Sequence, residues 1–513
     1  MVAADTPVNV CLTCVDREMI LHFLQHSIRL TIWGKVTGRR IGAEGFMASR
    51  GMADDDSHRR LLEYGGNAVD ALVGTVFCVG TVAVYHSGIG GGGFLLLRAA
   101  NGSYESVDFR ESAPGAAFEN MYKGNVNASL FSGLASVVPG ELRDTEYIHK
   151  KYRKLRWPEL IAPSIKLARY GFLVNEDLVS QKLPATHSIY SDVFKLATTR
   201  DMDTVSPNKF LTENPTWAVD SAPQGRRVRL GETMTRKRYA NTLEAIADGG
   251  ACVLYGDAIA RATVTALKRA NGIMSVEDLG NYTLAHQRPI DIQYRVYKLT
   301  STNAPSGGVV ALSMLNTLSG YNDFQEPIRS HSSTHLMLEA IKWAYGQRTQ
   351  IADPAFNPGM TAYIQSMISS ETGAEFAKIS PQTTFDLSHY DPKGLESLNT
   401  PGTSHIVSTD AFGLNVSMTT TVNLLFGSQL MVPETGVIMN IEMNDFSIPG
   451  ESNIFGYLPS EANFAKSGKR PLSSISPIMA ETSDRDRLCW FQSHHYRQCP
   501  ERDSPHRWQH DDC

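Results

Sequence analysis

The feature that most constrains the fold is a threonine that heads a predicted β-hairpin. Residues 405–408 predict one strand, residues 410–413 a turn, and residues 416–422 a second strand. The polar segment 399–402 precedes the hairpin and ends on a glycine, which places the hydroxyl of Thr403 at the start of the first strand. This position, directly after a segment that can be cut, suits a threonine that attacks its own chain.

The chemistry of Thr403 requires a base, because a threonine hydroxyl alone is a weak nucleophile. Cleavage of the peptide bond between Gly402 and Thr403 would free the α-amino group of Thr403 to serve as that base. The glycine before the bond leaves the carbonyl carbon unhindered. A Gly-Thr dipeptide alone has no such meaning, and in most proteins it is purely structural, so the surrounding sequence has to decide.

The rest of the chain mixes helical and strand patterns. Residues 71–85 predict a buried helix, and the four glycines at 90–93 lead into a buried strand at 94–98. Such a glycine run lets the backbone approach another surface closely or bind an anion, and no Gly-Lys-Ser/Thr follows to make it a P-loop. Helical periodicity also occurs in 140–180, where 157–160 begin a helix with proline in its first turn, in 232–275 and in 329–352.

Composition and charge exclude several classes of function. The 513 residues are 42% hydrophobic and 20% charged, as in ordinary globular proteins. A net charge of −5 and the lack of a polybasic run argue against a nucleic-acid partner. The 7 cysteines are an odd number and predict no disulfide framework, and the lone Cys-x-x-Cys at 11–14 has no second pair.

Signals for location in the sequence are weak. No apolar run reaches the length of a membrane-spanning helix, and the apolar stretch 19–33 is interrupted by histidine and arginine, which makes it a poor signal peptide. Four sequons nevertheless favour a secretory or vacuolar route, at Asn101, Asn127, Asn281 and Asn415.

The sequence around the hairpin resembles the beginning of the small subunit of γ-glutamyltranspeptidases, which also act as glutathione hydrolases. The matching segments are 403–405, 420–428, 436–440, 442–447 and 469–477, which read TSH, TTVNLLFGS, GVIMN, EMNDFS and KRPLSSISP. The half before the hairpin resembles the large subunit at 65–70, 88–94, 107–114 and 138–141. The resemblance thus covers roughly residues 43–480 in family order, is closest to fungal members, and is not produced by chance.

The resemblance implies an α/β (α+β) fold, a four-layer αββα sandwich of the N-terminal-nucleophile hydrolase type. It divides the chain into an unassigned segment 1–42, a large-subunit region 43–402, the start of a small subunit at 403–480, and a tail at 481–513 without family resemblance. The two cleavage products would stay together as a heterodimer. Family members usually enter the secretory path, which implies an extracellular, plasma-membrane or vacuolar location.

The implied reaction is acyl transfer. Thr403 first cuts the chain after Gly402 and then carries the γ-glutamyl group of glutathione or a related compound as an acyl-enzyme. Water, an amino acid or a peptide then accepts the group, and neither a metal nor an organic cofactor is implied. A related acylase with another acyl substrate is the rival enzyme, and the substrate-binding residues argue against it.

The implied substrate contacts fit a γ-glutamyl group, which has an α-carboxylate and an α-ammonium near the scissile amide. Arg110 offers a planar fork to the carboxylate, and Ser473 and Ser474 offer hydroxyls to it. Without the resemblance, Arg110 would be interpreted as half of a structural ion pair and the serines as loop residues. Because all three coincide with family binding positions, a binding role is favoured.

The remaining implied residues face the ammonium and the nucleophile. Glu442 and Asp445 offer negative charge to the ammonium, with Asn423 as a polar neighbour. Thr421 matches the second threonine of the family, which hydrogen-bonds the nucleophile, so Thr403 and Thr421 form the catalytic set. The alternatives are a solvated acidic turn for the two acids and a β-branched strand residue for Thr421, and the latter is compatible with catalysis.

The family pattern fails after Pro477. The family continues with a strand and a Gly-Gly-Ser-Arg-Ile segment, whose two glycine N–H groups form the oxyanion hole, whereas this chain continues with the tail 481–513. Loss of one such donor typically costs about 10²–10³ in kcat. The alternative function is therefore an inactive or unprocessed remnant of the family, with a sandwich that is incomplete at the C-terminus.

Two explanations of the tail stay open. One is a zinc site without any established ligand spacing, formed by Cys489, His494, His495, Cys499, His506, His510 and Cys513. The better match is a reading frame shifted near residues 478–488, because codons read one base later turn Trp490 into an obligatory glycine and allow Gly-x-Ser-Arg-Ile from there. The loss of native strands would expose apolar surface and strand edges, so this chain is expected to fold poorly.

Overall fold

Two antiparallel sheets form the centre of the molecule. The computed structural model describes residues 45–49, 61–175, 178, 209–321, 331–378, 383–395, 403–451, 458–482 and 488–492, with the backbone alone at 45–49, 331–332, 387 and 488–492. The strands are β1 (Gly45–Ser49), β2 (Gly92–Arg98), β3 (Tyr104–Asp108), β4 (Phe172–Leu173), β5 (Thr233–Met234), β6 (Ala285–Gln287), β7 (Ile290–Tyr294), β8 (Tyr297–Ser301), β9 (Thr403–Asp410), β10 (Asn415–Thr421), β11 (Pro477–Thr482) and β12 (Leu488–Gln492). The larger sheet has the order β1-β9-β10-β2-β3-β6, the smaller has the order β12-β11-β8-β7, and β4 pairs with β5 separately.

The helices cover the outer faces of the two sheets. They are α1 (Ala68–Val82), α2 (Glu141–Tyr152), α3 (Trp157–Tyr170), α4 (Phe210–Glu213), α5 (Pro215–Ser221), α6 (Lys237–Gly249), α7 (Cys252–Tyr255), α8 (Ala258–Arg269), α9 (Val276–Asn281), α10 (Gly308–Ser319), α11 (His331–Arg348), α12 (Met360–Met367), α13 (Ser370–Phe376) and α14 (Leu387–Tyr390). Short 3₁₀ turns occur at Val126–Ser129, Gly133–Ala135, Glu442–Asp445 and Glu461–Asn463.

The layers confirm the predicted αββα sandwich. Helix α1 packs on β9 and β10 and is covered on its other side by α2 and α3, while α10 packs on β7 and β8 beside α11. Strand β11 contacts β2 and β10, so the two sheets lie face to face. Two apolar cores result, one between α1 and the larger sheet and one between the smaller sheet and α10.

Local sequence explains where the principal helices begin. The side chain of Asn67 accepts the backbone N–H of Asp70, and the Asp70 carboxylate accepts the N–H of Asn67, which together cap α1. Every residue of α1 is buried, in keeping with its nearly continuous apolar sequence. Helix α3 begins at Trp157 with proline in its first turn, as predicted, and the predicted helix within 329–352 is α11.

The predicted hairpin is the pair β9 and β10, which are neighbours at the centre of the larger sheet. Their register places Thr403 opposite Thr421 and Ile406 opposite Met418. Because side chains alternate across a strand, and Ile406 belongs to the core under α1, Thr403 and Thr421 point to the opposite face, toward the smaller sheet.

The glycine run brings β2 close to β10. A Cβ atom at Gly91 would lie 1.9 Å from the carbonyl oxygen of Thr421, and one at Gly93 would lie 1.9 Å from that of Thr419. No side chain fits in that space, so the run serves close backbone approach. Strand β10, which ends at the predicted catalytic residue Thr421, therefore lies directly against the glycine backbone of β2.

The two sheets are also linked by a polar contact. Glu481 of β11 pairs with Arg98 of β2 and accepts a hydrogen bond from the hydroxyl of Tyr104 at 3.4 Å. The strand expected after Pro477 is present as β11, and the backbone of β12 continues the smaller sheet beyond it. Residues 493–513, which contain most of the predicted tail, lie outside the described residues.

Candidate active site

The predicted nucleophile lies at the end of the larger sheet. Thr403 is the first residue of β9 and is 9% exposed, and its partner in the strand pair is the buried Thr421. The hydroxyl of Thr421 accepts the backbone N–H of Asn423 at 2.7 Å, which fixes the chain where it leaves β10. Gly402, the residue on the other side of the predicted cleavage, lies outside the described residues.

A second row of polar groups supports these threonines from the helical side of the sheet. Ser404 contacts Ser87 through their hydroxyls at 3.2 Å, and Thr420 donates a hydrogen bond to the carboxyl group of Glu141. Burial raises the pKa of Glu141 to about 8, despite the hydrogen bond from Thr420. Glu141 is therefore mostly protonated at neutral pH, so its buried carboxyl group can hydrogen-bond to β10 without a neighbouring positive charge.

The predicted charged residues gather in one buried cluster. Arg110 is 1% exposed, and its Nη1 lies 3.1 Å from Oε1 of Glu442 and 3.4 Å from Oε2 of Glu111. Its Nη2 pairs with Asp445. Although burial opposes it, the three carboxylates hold the pKa of Arg110 above its ordinary value, so its guanidinium stays charged.

The acids of this cluster are held at an electrostatic cost. Burial raises the pKa of Glu442 well above its ordinary value and that of Glu111 to about 7, and in both cases Arg110 opposes the shift. Burial also raises the pKa of Asp445 against the influence of Arg110. The neighbouring carboxyl group of Glu111 adds to the raised pKa of Glu442, while Oε1 of Glu442 pairs with Nη1 of Arg110 at 3.1 Å.

Asn423 connects the charged cluster to the threonines. Its backbone has a φ of 71°, and its side-chain amide donates to Oδ1 of Asp445 at 2.8 Å. Since its N–H also donates to Thr421, one residue bridges the predicted ammonium site and the predicted catalytic pair. The left-handed conformation of Asn423 is one that few residues other than glycine and asparagine adopt readily.

The two predicted serines lie on a loop that Arg110 also reaches. Arg110 donates through Nη2 to the carbonyl of Leu472 at 3.2 Å, and the hydroxyl of Ser473 accepts the N–H of Ile475 at 3.2 Å. Ser474 is half-buried, and its hydroxyl accepts Nη2 of Arg348 at 2.8 Å. The structure thus brings Arg110, Asn423, Glu442 and Asp445 together by contact and places both serines on the adjoining loop.

Three residues of this region were not in the predicted set. Glu111 follows Arg110 directly, and Glu141 lies in the family-like segment 138–141, so both had a local signal. Arg348 ends α11 and had no signal of its own, because its partner Ser474 is 126 positions away in the sequence.

Neither a cluster of metal ligands nor a membrane-spanning helix is found in the part of the chain that the structure describes. No group of three or more His, Cys, Asp or Glu side chains is placed to hold a metal ion there. The tail cysteines and histidines considered as zinc ligands have no described side chains. Among the described helices, none is both long and apolar enough to cross a bilayer.

A four-layer αββα sandwich with a threonine heading a central strand defines the class of N-terminal-nucleophile hydrolases. Solved structures support this fold: a cephalosporin acylase from Bacillus halodurans aligns with a TM-score of 0.69 at 24% identity, over 86% of this chain and 76% of that one. A γ-glutamyltranspeptidase from Helicobacter pylori aligns with a TM-score of 0.54 at 28% identity, over 65% of this chain and 91% of that one.

The family follows from the sequence comparisons. A model of the Gamma-glutamyltranspeptidase family matches residues 58–490. A glutathione hydrolase proenzyme from Arthroderma benhamiae is 47% identical over 460 residues, which is 86% of this chain and 75% of that protein. The chain belongs to the γ-glutamyltranspeptidase family, an enzyme family, and the predicted resemblance to fungal members is confirmed.

Proposed function

We propose that this chain is a γ-glutamyltransferase and glutathione hydrolase that uses Thr403 as its nucleophile. The observation that supports this most directly is the continuous set of contacts from Arg110 through Asp445 and Asn423 to Thr421, which lies opposite Thr403. This set combines a buried cation and buried carboxylates beside a hydroxyl. An acyl group that bears both an ammonium and a carboxylate fits that combination.

The first proposed step is cleavage of the chain. Oγ of Thr403 attacks the carbonyl carbon of Gly402, the C–N bond breaks, and the peptide shifts to an ester on Thr403. Water then hydrolyses the ester, which leaves a carboxylate on Gly402 and a free α-amino group on Thr403. The products, residues 1–402 and 403–513, stay together as a heterodimer, because β9 and β10 remain hydrogen-bonded to β1 and β2 from the other product.

The second step is turnover of the γ-glutamyl substrate. The α-amino group of Thr403 takes the hydroxyl proton as Oγ attacks the γ-carbonyl carbon, and the proton passes to the leaving amine, which is cysteinylglycine when glutathione is the donor. Water or an acceptor amine then attacks the acyl ester and releases glutamate or a new γ-glutamyl compound. Thr421 orients the nucleophile from the neighbouring strand.

Recognition of the substrate uses the buried charges. Arg110, Ser473 and Ser474 face the α-carboxylate, while Glu442 and Asp445 face the α-ammonium. Asn423 holds Asp445 in place. A secretory route fits three of the four sequons, because Asn101, Asn127 and Asn281 are exposed, whereas Asn415 is buried in β10.

The test is a denaturing gel combined with an assay on L-γ-glutamyl-p-nitroanilide. Wild-type protein should give two bands and release nitroaniline, Thr403→Ala should give one band and no release, and Thr403→Ser should restore both in part. One uncut band with no turnover from wild-type protein would refute the proposal. That result would favour the second candidate, an inactive remnant, which the lack of a Gly-Gly-Ser-Arg-Ile sequence in 481–513 suggests.

A further inference from the structure

A second buried arginine touches the predicted carboxylate site from outside. Arg348 is the last residue of α11 and is 1% exposed. Its Nη2 donates to the hydroxyl oxygen of Ser474 at 2.8 Å. Burial lowers the pKa of Arg348, and the charge of Asp445 opposes that shift, so Arg348 lies within electrostatic reach of the charged cluster.

The loop that bears Ser474 is held in place without Arg348. The N–H of Arg470 donates to Oδ2 of Asp353 at 2.9 Å, and the N–H of Ser473 donates to the carbonyl of Pro305 at 2.9 Å. The N–H of Gly307 donates to the carbonyl of Ile475 at 2.8 Å. Because these backbone bonds flank Ser474 on both sides, the contact from Arg348 acts on the side chain of Ser474 rather than on the path of the loop.

The contact determines where the hydroxyl proton of Ser474 points. A serine hydroxyl has one proton and two acceptor lone pairs, whereas a guanidinium only donates. Since the Ser474 oxygen accepts from Arg348, its proton must point away from Arg348 and toward another acceptor. A hydrogen bond accepted from a cation also polarises the hydroxyl and strengthens the bond that it donates.

We propose that Arg348 is a positioning residue that orients and polarises the hydroxyl of Ser474 toward the α-carboxylate of a γ-glutamyl substrate, and so contributes to selection for that carboxylate. The inference rests on the proposed function and deepens it. Arg348 acts through Ser474 and does not itself contact the substrate. Its effect should therefore depend on the presence of both the serine hydroxyl and the substrate carboxylate.

The test measures binding of L-glutamate and of 4-aminobutyrate to the full chain by calorimetry. The second ligand keeps the ammonium and lacks the α-carboxylate. Arg348→Met should weaken L-glutamate binding on the order of tenfold, the scale of one charge-assisted hydrogen bond, and leave 4-aminobutyrate binding within about twofold. Arg348→Lys should recover part of the loss, because it restores a donor and a charge without the planar fork.

A double-mutant cycle separates positioning from a general structural role. If Arg348 acts through Ser474, the double variant Arg348→Met/Ser474→Ala should bind L-glutamate no more weakly than Ser474→Ala alone. Arg236→Met is the matched control, since Arg236 is also buried but donates to the carbonyls of Gly80, Thr81 and Gly436. It should lower the melting temperature without changing the preference for L-glutamate.

The outcomes distinguish this inference from the proposed function. Wild-type protein that does not bind L-glutamate contradicts the proposed function itself. Two results would overturn the role of Arg348 alone, provided that wild-type protein binds L-glutamate. In the first, the double variant loses affinity by the product of the two single losses. In the second, Arg348→Met loses affinity equally for both ligands. If Arg348→Met fails to fold, the same cycle run with Arg348→Lys decides whether Arg348 acts through Ser474.

Discussion

Replacement of Asp445 by asparagine removes one charge from the buried cluster and preserves its shape. Asp445 is 2% exposed, pairs with Nη2 of Arg110, and accepts from Asn423 at 2.8 Å. An asparagine side chain can keep the bond from Asn423 with its oxygen, but its amide nitrogen then faces another donor on Arg110. The variant therefore loses the charge-assisted bond and keeps the neutral one.

The structure sets the magnitude of the effect on stability. Removing one partner of a buried ion pair costs about 3–5 kcal/mol when the other charge is left uncompensated. Arg110 still has Glu442 at 3.1 Å and Glu111 at 3.4 Å, so the loss should be nearer that of one charged hydrogen bond, about 1.5–3 kcal/mol. In a chain of this size such a loss lowers the melting temperature by a few degrees at most.

We expect the loss of the charge on Asp445 to weaken substrate recognition by a similar free energy. Loss of one charged contact to the α-ammonium, about 1.5–3 kcal/mol, corresponds to a fall in kcat/KM of roughly 10- to 150-fold on L-γ-glutamyl-p-nitroanilide. Glutaryl-p-nitroanilide lacks the ammonium, so its kcat/KM should change by no more than about threefold. Asp220→Asn is the matched control, because Asp220 is also buried and pairs with Arg238 at 3.2 Å but lies outside the cluster.

The comparison of the two anilides decides the role of Asp445. Equal losses on both substrates would mean that Asp445 supports the fold of the site and does not bind the ammonium. Unchanged kinetics on both would refute the assignment of the cluster to substrate binding. Asp220→Asn should lower the melting temperature without altering the ratio of the two kcat/KM values.

Two further predictions concern strand β10, which pairs with the strand that begins at the predicted nucleophile Thr403. Burial raises the pKa of Glu141 to about 8 in the folded chain, against an ordinary value of 4.5. Between these two pH values the folded state holds a proton that the unfolded chain releases. Glu141 therefore destabilises the folded state increasingly as pH rises from about 4.5 to about 8. The free energy of unfolding, measured in urea, should therefore fall less steeply with pH in Glu141→Gln than in wild-type protein, by up to about 1.4 kcal/mol per pH unit over this range. If the two proteins lose stability equally with pH, Glu141 does not have the raised pKa. Gly91→Ala places a Cβ 1.9 Å from the carbonyl oxygen of Thr421, so it should lower the free energy of unfolding by at least about 1–3 kcal/mol and reduce chain cleavage on a denaturing gel. Gly256→Ala is the control and should behave like wild-type protein, because the atom nearest to its Cβ lies 3.6 Å away.

The sequence predicted the elements around the predicted nucleophile well, because their signals are local. Alternating residues and a turn predicted β9 and β10, and the proline in the first turn predicted the start of α3. The glycines at 90–93 allowed close approach or anion binding, and only the register of β2 against β10 shows that close approach applies.

Contacts across long sequence separations could not be predicted in the same way. The pairing of Arg110 with Asp445 spans 335 positions and that of Arg348 with Ser474 spans 126. Nothing in the local pattern near Arg348 distinguishes it from other arginines at helix C-termini. The family resemblance supplied Arg110 and Asp445, and for Arg348 the evidence came from packing alone.

The charge balance of the cluster has a consequence for selectivity that follows from burial. Arg110 is already compensated by Glu442, Asp445 and Glu111, so a ligand that brought only a carboxylate would add an uncompensated negative charge to a dry site. A ligand that brought only an ammonium would instead be attracted by these acids, which outnumber Arg110 three to one. A zwitterionic α-amino acid group leaves the net buried charge unchanged. Its carboxylate can replace one of the acids as a partner of Arg110, and its ammonium can pair with the acid that is replaced. The cluster should therefore discriminate most strongly against analogues that keep the carboxylate and lack the ammonium.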